Sequence, residues 1–279
     1  MIQIQGLTKK YGKKQIALDS LTQDLDSGII SIIGKNGAGK TTLLRLLSTQ
    51  LRPTSGDAFI DGLSITRDTK QIRGMIVSIP QEAAPIGILT AYEQVFLYLT
   101  GKGFSFHSAR EEAIKALNSV GLREKMHVPT DELSGGMKRK MFVAMALGAN
   151  ADTVFLDEPT TGLDPLSRME TWSAIKELTG NVILTTHYME EATELSEKIY
   201  MMDSGKIIGS GTADELLFDL KDKVRVESRD AMPESYHVGN MYIKYVNKSN
   251  ISNYENVYYS LKKITIEDLF IIRGVDLES

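Results

Sequence analysis

Residues 28–47, "GIISIIGKNGAGKTTLLRLL", contain the strongest indication of the fold of this chain. It begins with a continuous apolar run rich in Ile, which is typical of a strand buried on both faces. A Gly-rich segment follows, and leucines at helical spacing come directly after it. The stretch therefore predicts a buried strand, a tight loop and a helix in succession.

The loop in this stretch matches the phosphate-binding pattern G-x-x-x-x-G-K-[ST]. Its glycines let the backbone wrap a β-phosphate, and the start of the next helix adds partial positive charge. Lys40 is expected to reach the β- and γ-phosphates of a nucleotide, and the Thr41 hydroxyl to ligate Mg²⁺. The residues predicted to bind nucleotide here are Gly34, Asn36, Gly37, Ala38, Gly39, Lys40, Thr41 and Thr42.

Two acids end a second buried-strand pattern, "VFLDEP", at residues 154–159. An acid at a strand end beside the phosphate loop suits Mg²⁺, so Asp157 is predicted to hold the metal. Glu158 is then placed to orient and deprotonate an attacking water. A general base of this kind typically contributes about 10²–10⁴ in rate.

Three more side chains are candidates for the same site. Gln81 follows the strand pattern "MIVSIP", and His187 ends "NVILTTH". Because ligands bind at the carboxyl edge of open α/β sheets, we expect Gln81 near Mg²⁺ and His187 near the γ-phosphate. Tyr11, in "KKYGKK", is a candidate for stacking on the adenine.

A second anion cradle occurs in "LSGGMKRK", residues 133–140. Ser134, Gly135 and Gly136 open a helical pattern, and bare backbone N–H groups at a helix start suit an anion. The segment has no Lys-Thr pair and no nearby pair of acids. It is therefore expected to clamp a phosphate without preparing metal or water.

Strands alternate with helices along the chain, which predicts an α/β fold, a P-loop NTPase core with a mainly parallel sheet. "TSGDAFIDG" and "IYMMDSGKIIGSG" predict hairpins, and the first suggests an antiparallel β subdomain. Residues 89–150 are mainly helical, which predicts an inserted helical subdomain. After residue 220 come the Tyr-rich strand patterns "KVRVE", "MYIKYV" and "NVYYSL", and then "TIEDLFII", a helix with Thr265 as its expected N-cap.

The composition excludes several classes of function. The formal net charge of −4 argues against a nucleic-acid partner. The absence of Cys excludes disulfides, thiol catalysis and thiolate metal sites. The N-terminus does not match a signal peptide, and no uncharged apolar stretch reaches about 18 residues, so the chain is not expected to cross a membrane by itself.

Taken in order, these motifs closely resemble the nucleotide-binding subunits of ATP-binding-cassette (ABC) transporters over residues 1–215. The resemblance implies an ATPase that uses ATP and Mg²⁺ and packs head to tail with a second such subunit, identical or different. Each ATP would lie between one phosphate loop and the other subunit's "LSGG". Ser134, Gly135 and Gly136 would then contact the partner's γ-phosphate, and Asp164 of "GLD" would connect the two sites.

The same resemblance implies a separate transmembrane permease and a peripheral position at the cytoplasmic face of the cell membrane. Residues 1–220 would form the ATP-binding domain, and residues 221–279 a small C-terminal α+β domain. "SGGM" followed by basic residues resembles the drug- and antibiotic-exporter branch, as does "IEDLF". A soluble regulatory ATPase without a membrane partner is the alternative. One departure is Met137, where the family often has Gln, because Met cannot donate a hydrogen bond to a ribose.

Overall fold

The fold was analysed in a computed structural model of the protein. One sequence prediction falls partly outside the described residues, since residues 256–258 of the strand pattern "NVYYSL" (256–261) are not among them. The residues that the structure describes are 1–12, 15–254 and 259–274.

The chain divides into two compact units, the first ending at Ile208 and the second beginning at Gly209. Composition predicts a boundary between residues 220 and 221 instead. The helix Ala213–Leu216 and the 3₁₀ turn Phe218–Leu220 therefore belong to the second unit. The two boundaries differ because a compact unit is defined by its contacts, which composition does not report.

An antiparallel sheet opens the first unit, with the strand order β2-β1-β4-β5. Its strands are β1 (Ile2–Tyr11), β2 (Gln15–Leu25), β4 (Ser55–Ile60) and β5 (Leu63–Ser64). Strand β1 pairs antiparallel with both β2 and β4. The predicted hairpin "TSGDAFIDG" corresponds to β4 and β5, which join through Asp61 and Gly62, both at positive φ.

A second, mainly parallel sheet has the order β10-β9-β3-β8-β7-β6. Its strands are β3 (Ile29–Ile33), β6 (Ile76–Ile79), β7 (Thr153–Asp157), β8 (Asn181–Thr186), β9 (Lys198–Asp203) and β10 (Lys206–Gly211). Strand β3 pairs parallel with β8 and β9, and β7 pairs parallel with β6 and β8. The carboxyl ends of β3, β6, β7 and β8 therefore meet at one edge. This sheet confirms the predicted α/β fold.

Helices cover both faces of the parallel sheet. They are α1 (Lys40–Leu47), α2 (Thr69–Met75), α3 (Ala91–Gly101), α4 (Phe106–Ser119), α5 (Gly135–Ala149), α6 (Pro165–Lys176) and α7 (Met189–Leu195). Side chains alternate along β7, so Val154 and Leu156 pack with α3–α6 while Phe155 packs with the leucines of α1. Trp172 of α6 is buried in this core.

The second unit contains a small antiparallel sheet of order β12-β13-β11-β14. Its elements are α8 (Ala213–Leu216), β11 (Lys223–Ser228), β12 (Tyr236–Val238), β13 (Met241–Asn247), β14 (Ser260–Lys262) and α9 (Glu267–Ile272). The prediction that Thr265 caps α9 is wrong, because Ile266 occupies the N-cap position. The Thr265 N–H instead donates to the buried Asp268 carboxylate at 2.7 Å. That carboxylate also accepts from Arg225 at 3.0 Å and from Tyr245 at 2.8 Å.

Candidate active site

A pocket of about 570 Å³ lies where the loop after β3 meets the ends of β6, β7 and β8. Its lining residues are Tyr11, Gln15, Ile16, Ala17, Asn36, Gly37, Gly39, Lys40, Thr41, Thr42, Gln81, Glu158, Thr161 and His187. Most residues predicted from the phosphate loop and the strand ends thus come together in one place. The predicted residues that do not line it are Gly34, Ala38, Asp157, Ser134, Gly135, Gly136 and Asp164.

The phosphate loop requires glycine where its backbone approaches other strands. Gly39, the N-cap of α1, has a left-handed φ of 105° and gives the helix no side-chain cap. A Cβ there would lie 2.4 Å from the Ala17 carbonyl oxygen, and a Cβ at Gly34 would lie 2.2 Å from that of Met202. The first turn of α1 therefore presents backbone N–H groups that no side chain caps.

Lys40 is a desolvated cation at the base of the pocket. Its side chain is buried, and its Nζ donates to the carbonyl oxygens of Gly34 at 2.8 Å and Lys35 at 3.0 Å. Burial lowers the pKa of Lys40, and the negative charges of Glu158 and Asp157 act in the opposite direction. Such an ammonium group is suited to an anionic ligand that would complete its neutralisation.

Asp157 ends β7 beneath the phosphate loop, and only 4% of it is exposed. Its Oδ1 accepts from Thr41 Oγ1 at 3.0 Å and from Thr185 Oγ1 at 2.5 Å. Its Oδ2 is buried without a hydrogen-bond partner among the described residues. Burial raises the pKa of Asp157, although the two threonine hydroxyls lower it.

Glu158 is the point at which three pocket residues converge. Its Oε2 accepts from Gln81 Nε2 at 3.1 Å and from Thr161 Oγ1 at 3.0 Å. His187 Nδ1 lies 3.2 Å from the same oxygen but makes no hydrogen bond of good geometry. The backbone of Glu158 is left-handed, with φ of 48°, and its N–H donates to Thr185. Such strain in a non-Gly residue is concentrated at functional sites.

The segment around Gln81 is held from two other helices. Glu82 forms an ion pair with Arg45 of α1, whose Nη2 lies 2.9 and 2.8 Å from the two carboxylate oxygens. Arg139 of α5 donates from Nη2 to the Gln81 carbonyl oxygen at 2.8 Å. Sequence patterns indicated neither contact. The partners lie 37 and 58 residues apart, and no local motif reports such pairs.

The side of the pocket near Tyr11 is apolar and partly open. Tyr11 and Ile16 are 42% and 50% exposed. The Lys9 ammonium group lies 5.4 Å from the centre of the Tyr11 ring. An exposed aromatic face beside an exposed aliphatic side chain is suited to a planar base.

The second anion cradle lies outside this pocket. Ser134 is the N-cap of α5, and its side chain accepts from the Met137 N–H at 3.2 Å. Asp164 caps α6 in the same way, accepting from the Leu166 and Ser167 N–H groups at 3.1 Å each. Hydrogen bonds at Ser167 hold the pKa of Asp164 below its ordinary value. Both caps are exposed at helix starts.

A family model described as ABC transporter matches residues 18–161. The chain belongs to the ABC transporter family. The Daunorubicin resistance ATP-binding protein DrrA3 of Streptomyces coeruleorubidus is 37% identical over 235 residues, which cover 82% of this chain and 74% of that protein. The Phospholipid-transporting ATPase ABCA3 of Homo sapiens is 36% identical over 218 residues, which cover 76% of this chain and 13% of that protein.

A solved dimeric structure of an ATP-binding cassette, in a post-hydrolysis state with ADP and Pi, has the same fold with a TM-score of 0.69. It is 27% identical, and the match covers 76% of this chain and 98% of that chain. These comparisons confirm the predicted family, and the protein is an ABC-type ATPase. Among the residues that the structure describes, no helix is long and apolar enough to cross a bilayer.

Proposed function

We propose that this ATPase is the motor subunit of an ABC exporter and that it drives a separate membrane permease. The observation that carries the hydrolytic part is the convergence of Gln81, Thr161 and His187 on the Glu158 carboxylate, in the pocket that contains Lys40. The export part is supported by the similarity to a protein named for daunorubicin resistance.

Hydrolysis would proceed by attack of water on the γ-phosphate. The water oxygen bonds to the γ-phosphorus, the bond to the β–γ bridging oxygen breaks, and the water proton passes to Glu158. Gln81 and Thr161 hold the base in place through hydrogen bonds to Oε2. Lys40 and His187 would contact the phosphates, with the His187 ring nitrogen opposite Nδ1 directed to the γ-phosphate.

The residues beside the phosphate loop are compatible with Mg²⁺. No group of three or more His, Asp or Glu side chains suited to a metal occurs within the described ranges. Mg²⁺ commonly takes one or two carboxylates together with nucleotide phosphates and water. The buried, unpartnered Oδ2 of Asp157 fits such a shell, as do the Thr41 hydroxyl and the Gln81 amide. The ion would neutralise charge on the phosphates.

Dimerisation would complete the nucleotide site. Ser134, Gly135 and Gly136 lie away from the pocket of their own chain, which is consistent with contacting a phosphate in a second subunit. Asp164 would connect the two sites across the interface. With Met137 in place of Gln, the ribose edge of this contact would be less polar.

The permease would dock on the segment after Gln81. The turn there is held by Thr130, whose N–H donates to the Leu89 carbonyl at 2.9 Å and whose hydroxyl donates to the Ile86 carbonyl at 3.0 Å. Ile88 at this turn is 83% exposed, and Phe106 of α4 is 73% exposed. Burial of one such side chain stabilises a complex by about 1.5–3 kcal/mol.

The hydrolytic proposal is tested with Glu158→Gln in the full chain. We expect turnover to be abolished while Mg-ATP binding persists and a nucleotide-bound dimer accumulates. Glu190→Gln, the same change at an exposed acid, is the matched control. Steady-state phosphate release and size-exclusion chromatography with ATP measure both effects, and normal turnover in Glu158→Gln would refute the base assignment.

The transporter proposal is tested by tagged purification from gently solubilised native membranes. A polytopic protein should co-purify in stoichiometric amount, and Ile88→Glu should release it without lowering the ATPase rate of the free chain. Ile114→Glu, at a less exposed position of α4, should retain the partner. Recovery of the chain in the soluble fraction with no membrane partner would favour the alternative, a soluble regulatory ATPase.

A further inference from the structure

Arg139 joins the helix that begins with "SGG" to the segment that carries Gln81. It lies in the second turn of α5, and its Nη2 donates to the Gln81 carbonyl oxygen at 2.8 Å. The side chain of Gln81 in turn donates to Glu158 Oε2 at 3.1 Å. One residue, Gln81, therefore links Arg139 through its backbone and the candidate base through its amide.

The positive charge of Arg139 also interacts with the Glu158 carboxylate. Burial lowers the pKa of Arg139, and the negative charge of Glu158 opposes that effect. Its Nη1 is buried without a hydrogen-bond partner among the described residues. A partly desolvated guanidinium with one unpaired nitrogen is costly unless a nearby carboxylate compensates it. Because burying the Arg139 guanidinium beside the pocket carries this cost, we take its position as evidence for a role in the site beyond a surface contact.

The two neighbouring basic residues have different contacts. Lys140 forms an ion pair with Glu170 of α6 at 2.9 Å. Lys138 donates to the Asp131 carbonyl oxygen at 3.4 Å. Neither bond involves Gln81 or Glu158, so among the residues that the structure describes, Arg139 is the member of "KRK" that bonds to a pocket residue.

We propose that Arg139 is a positioning residue that makes the geometry of the hydrolytic base depend on the position of α5. When Ser134 and its neighbours engage a phosphate of the second subunit, α5 would carry Arg139 with it, and Arg139 would fix the Gln81 backbone and thereby the Gln81–Glu158 bond. This inference rests on the proposed roles of Glu158 and of the "SGG" segment.

The test uses the full chain with Arg139→Met, which retains an unbranched apolar stem but has no donor. We expect kcat to fall about tenfold, since small displacements of a catalytic group lower rates strongly. We expect KM and the affinity for a fluorescent ATP analogue to stay within about twofold, because Arg139 does not line the pocket. Arg67→Met, the same change at an exposed arginine before α2, is the matched control and should leave kcat unchanged. Arg139→Lys, which can donate one bond to the carbonyl, should recover part of the rate.

A double-mutant cycle with Gln81→Ala separates positioning from general stabilisation. Without the Gln81 amide the link to Glu158 is absent, so adding Arg139→Met should lower kcat by less than about twofold further. An equal loss in both backgrounds, an unchanged kcat in Arg139→Met, or an unfolded Arg139→Met variant would overturn the proposal. Turnover that survives in Glu158→Gln would instead refute the proposed base, so the two failures are distinguishable.

Discussion

Replacing Asp157 with Asn should stabilise the nucleotide-free protein while weakening the proposed Mg²⁺ site. The carboxylate is 4% exposed, and its Oδ1 accepts from the hydroxyls of Thr41 and Thr185. Its Oδ2 is buried without a partner among the described residues, and an unsatisfied buried polar atom costs about 1–3 kcal/mol, more when charged. Asn retains the Oδ1 acceptor and replaces the charged Oδ2 with a neutral amide nitrogen, which is also unpartnered but costs less to bury, so we expect a gain of about 1 kcal/mol in the free energy of unfolding.

The gain in the free energy of unfolding on Asp157→Asn should depend on pH in a defined direction. Burial raises the pKa of Asp157 in the folded chain, so the folded state takes up this proton more readily than the unfolded state. The ionised carboxylate therefore costs stability above its folded pKa. This cost disappears as the pH falls below the unfolded value of about 3.9. The advantage of Asp157→Asn should be greatest at neutral pH and shrink as the solution is made acidic.

The assay is urea denaturation of the full chain, with EDTA or with Mg-ADP. A ligand at about a hundred times its dissociation constant adds about 2.7 kcal/mol to the wild type, and Asp157→Asn should lose most of the Mg²⁺-dependent part. Asp152→Asn, at an exposed acid just before β7, is the control and should change neither quantity. Lower stability of Asp157→Asn in EDTA would refute the argument from the unpaired oxygen. Full stabilisation by Mg-ADP would refute the metal assignment.

Three further changes test other contacts. Gly136→Ala would place a Cβ 2.6 Å from Ser167 Oγ, so it should lower the free energy of unfolding by about 1–3 kcal/mol, and Ser167→Gly should restore part of this in urea denaturation. Lys40→Met removes the charged donor of the phosphate loop and should weaken binding of a fluorescent ATP analogue by about 10- to 100-fold, so an unchanged affinity would exclude a phosphate contact. Tyr245→Phe removes the hydroxyl that donates to Asp268 at 2.8 Å and should cost about 1–3 kcal/mol, measured by the same denaturation.

Local patterns predicted those parts of the site that are contiguous in sequence. The strand, loop and helix of residues 28–47 and the acids that end β7 occur in the structure where their patterns placed them. Their prediction succeeded because buried strands, glycine turns and amphipathic helices each leave a periodicity in a short window. The order of strands in the sheet leaves no such trace, since the apolar runs of β3, β7 and β8 are alike.

Contacts between distant segments could not be predicted either, because they leave no periodicity in a short window of sequence. The Nε1 of the buried Trp172 donates to the buried Glu191 carboxylate at 3.0 Å, and Thr160 donates to the same oxygen at 2.6 Å. Burial raises the pKa of Glu191. A single Glu in an acidic helical segment looks like a solvated residue in sequence, and only the packing of α6 on α7 places it inside.

The left-handed backbone of Glu158 explains how two adjacent acidic side chains come to have separate contacts. In a regular strand, successive side chains point to opposite faces, which would direct the side chain of one of the two acids away from the pocket. With φ of 48° at Glu158, Asp157 bonds to Thr41 below the loop while Glu158 bonds to Gln81 in the pocket.

This left-handed conformation costs about 1–3 kcal/mol in a non-Gly residue. The Glu158 N–H bond to Thr185 and the contacts of its carboxylate offset that cost, which ties the geometry of the proposed base to the end of β8. Gln at position 158 meets the same backbone strain and nearly the same space as Glu, so Glu158→Gln removes the negative charge and the ability to take a proton while keeping the shape of the side chain.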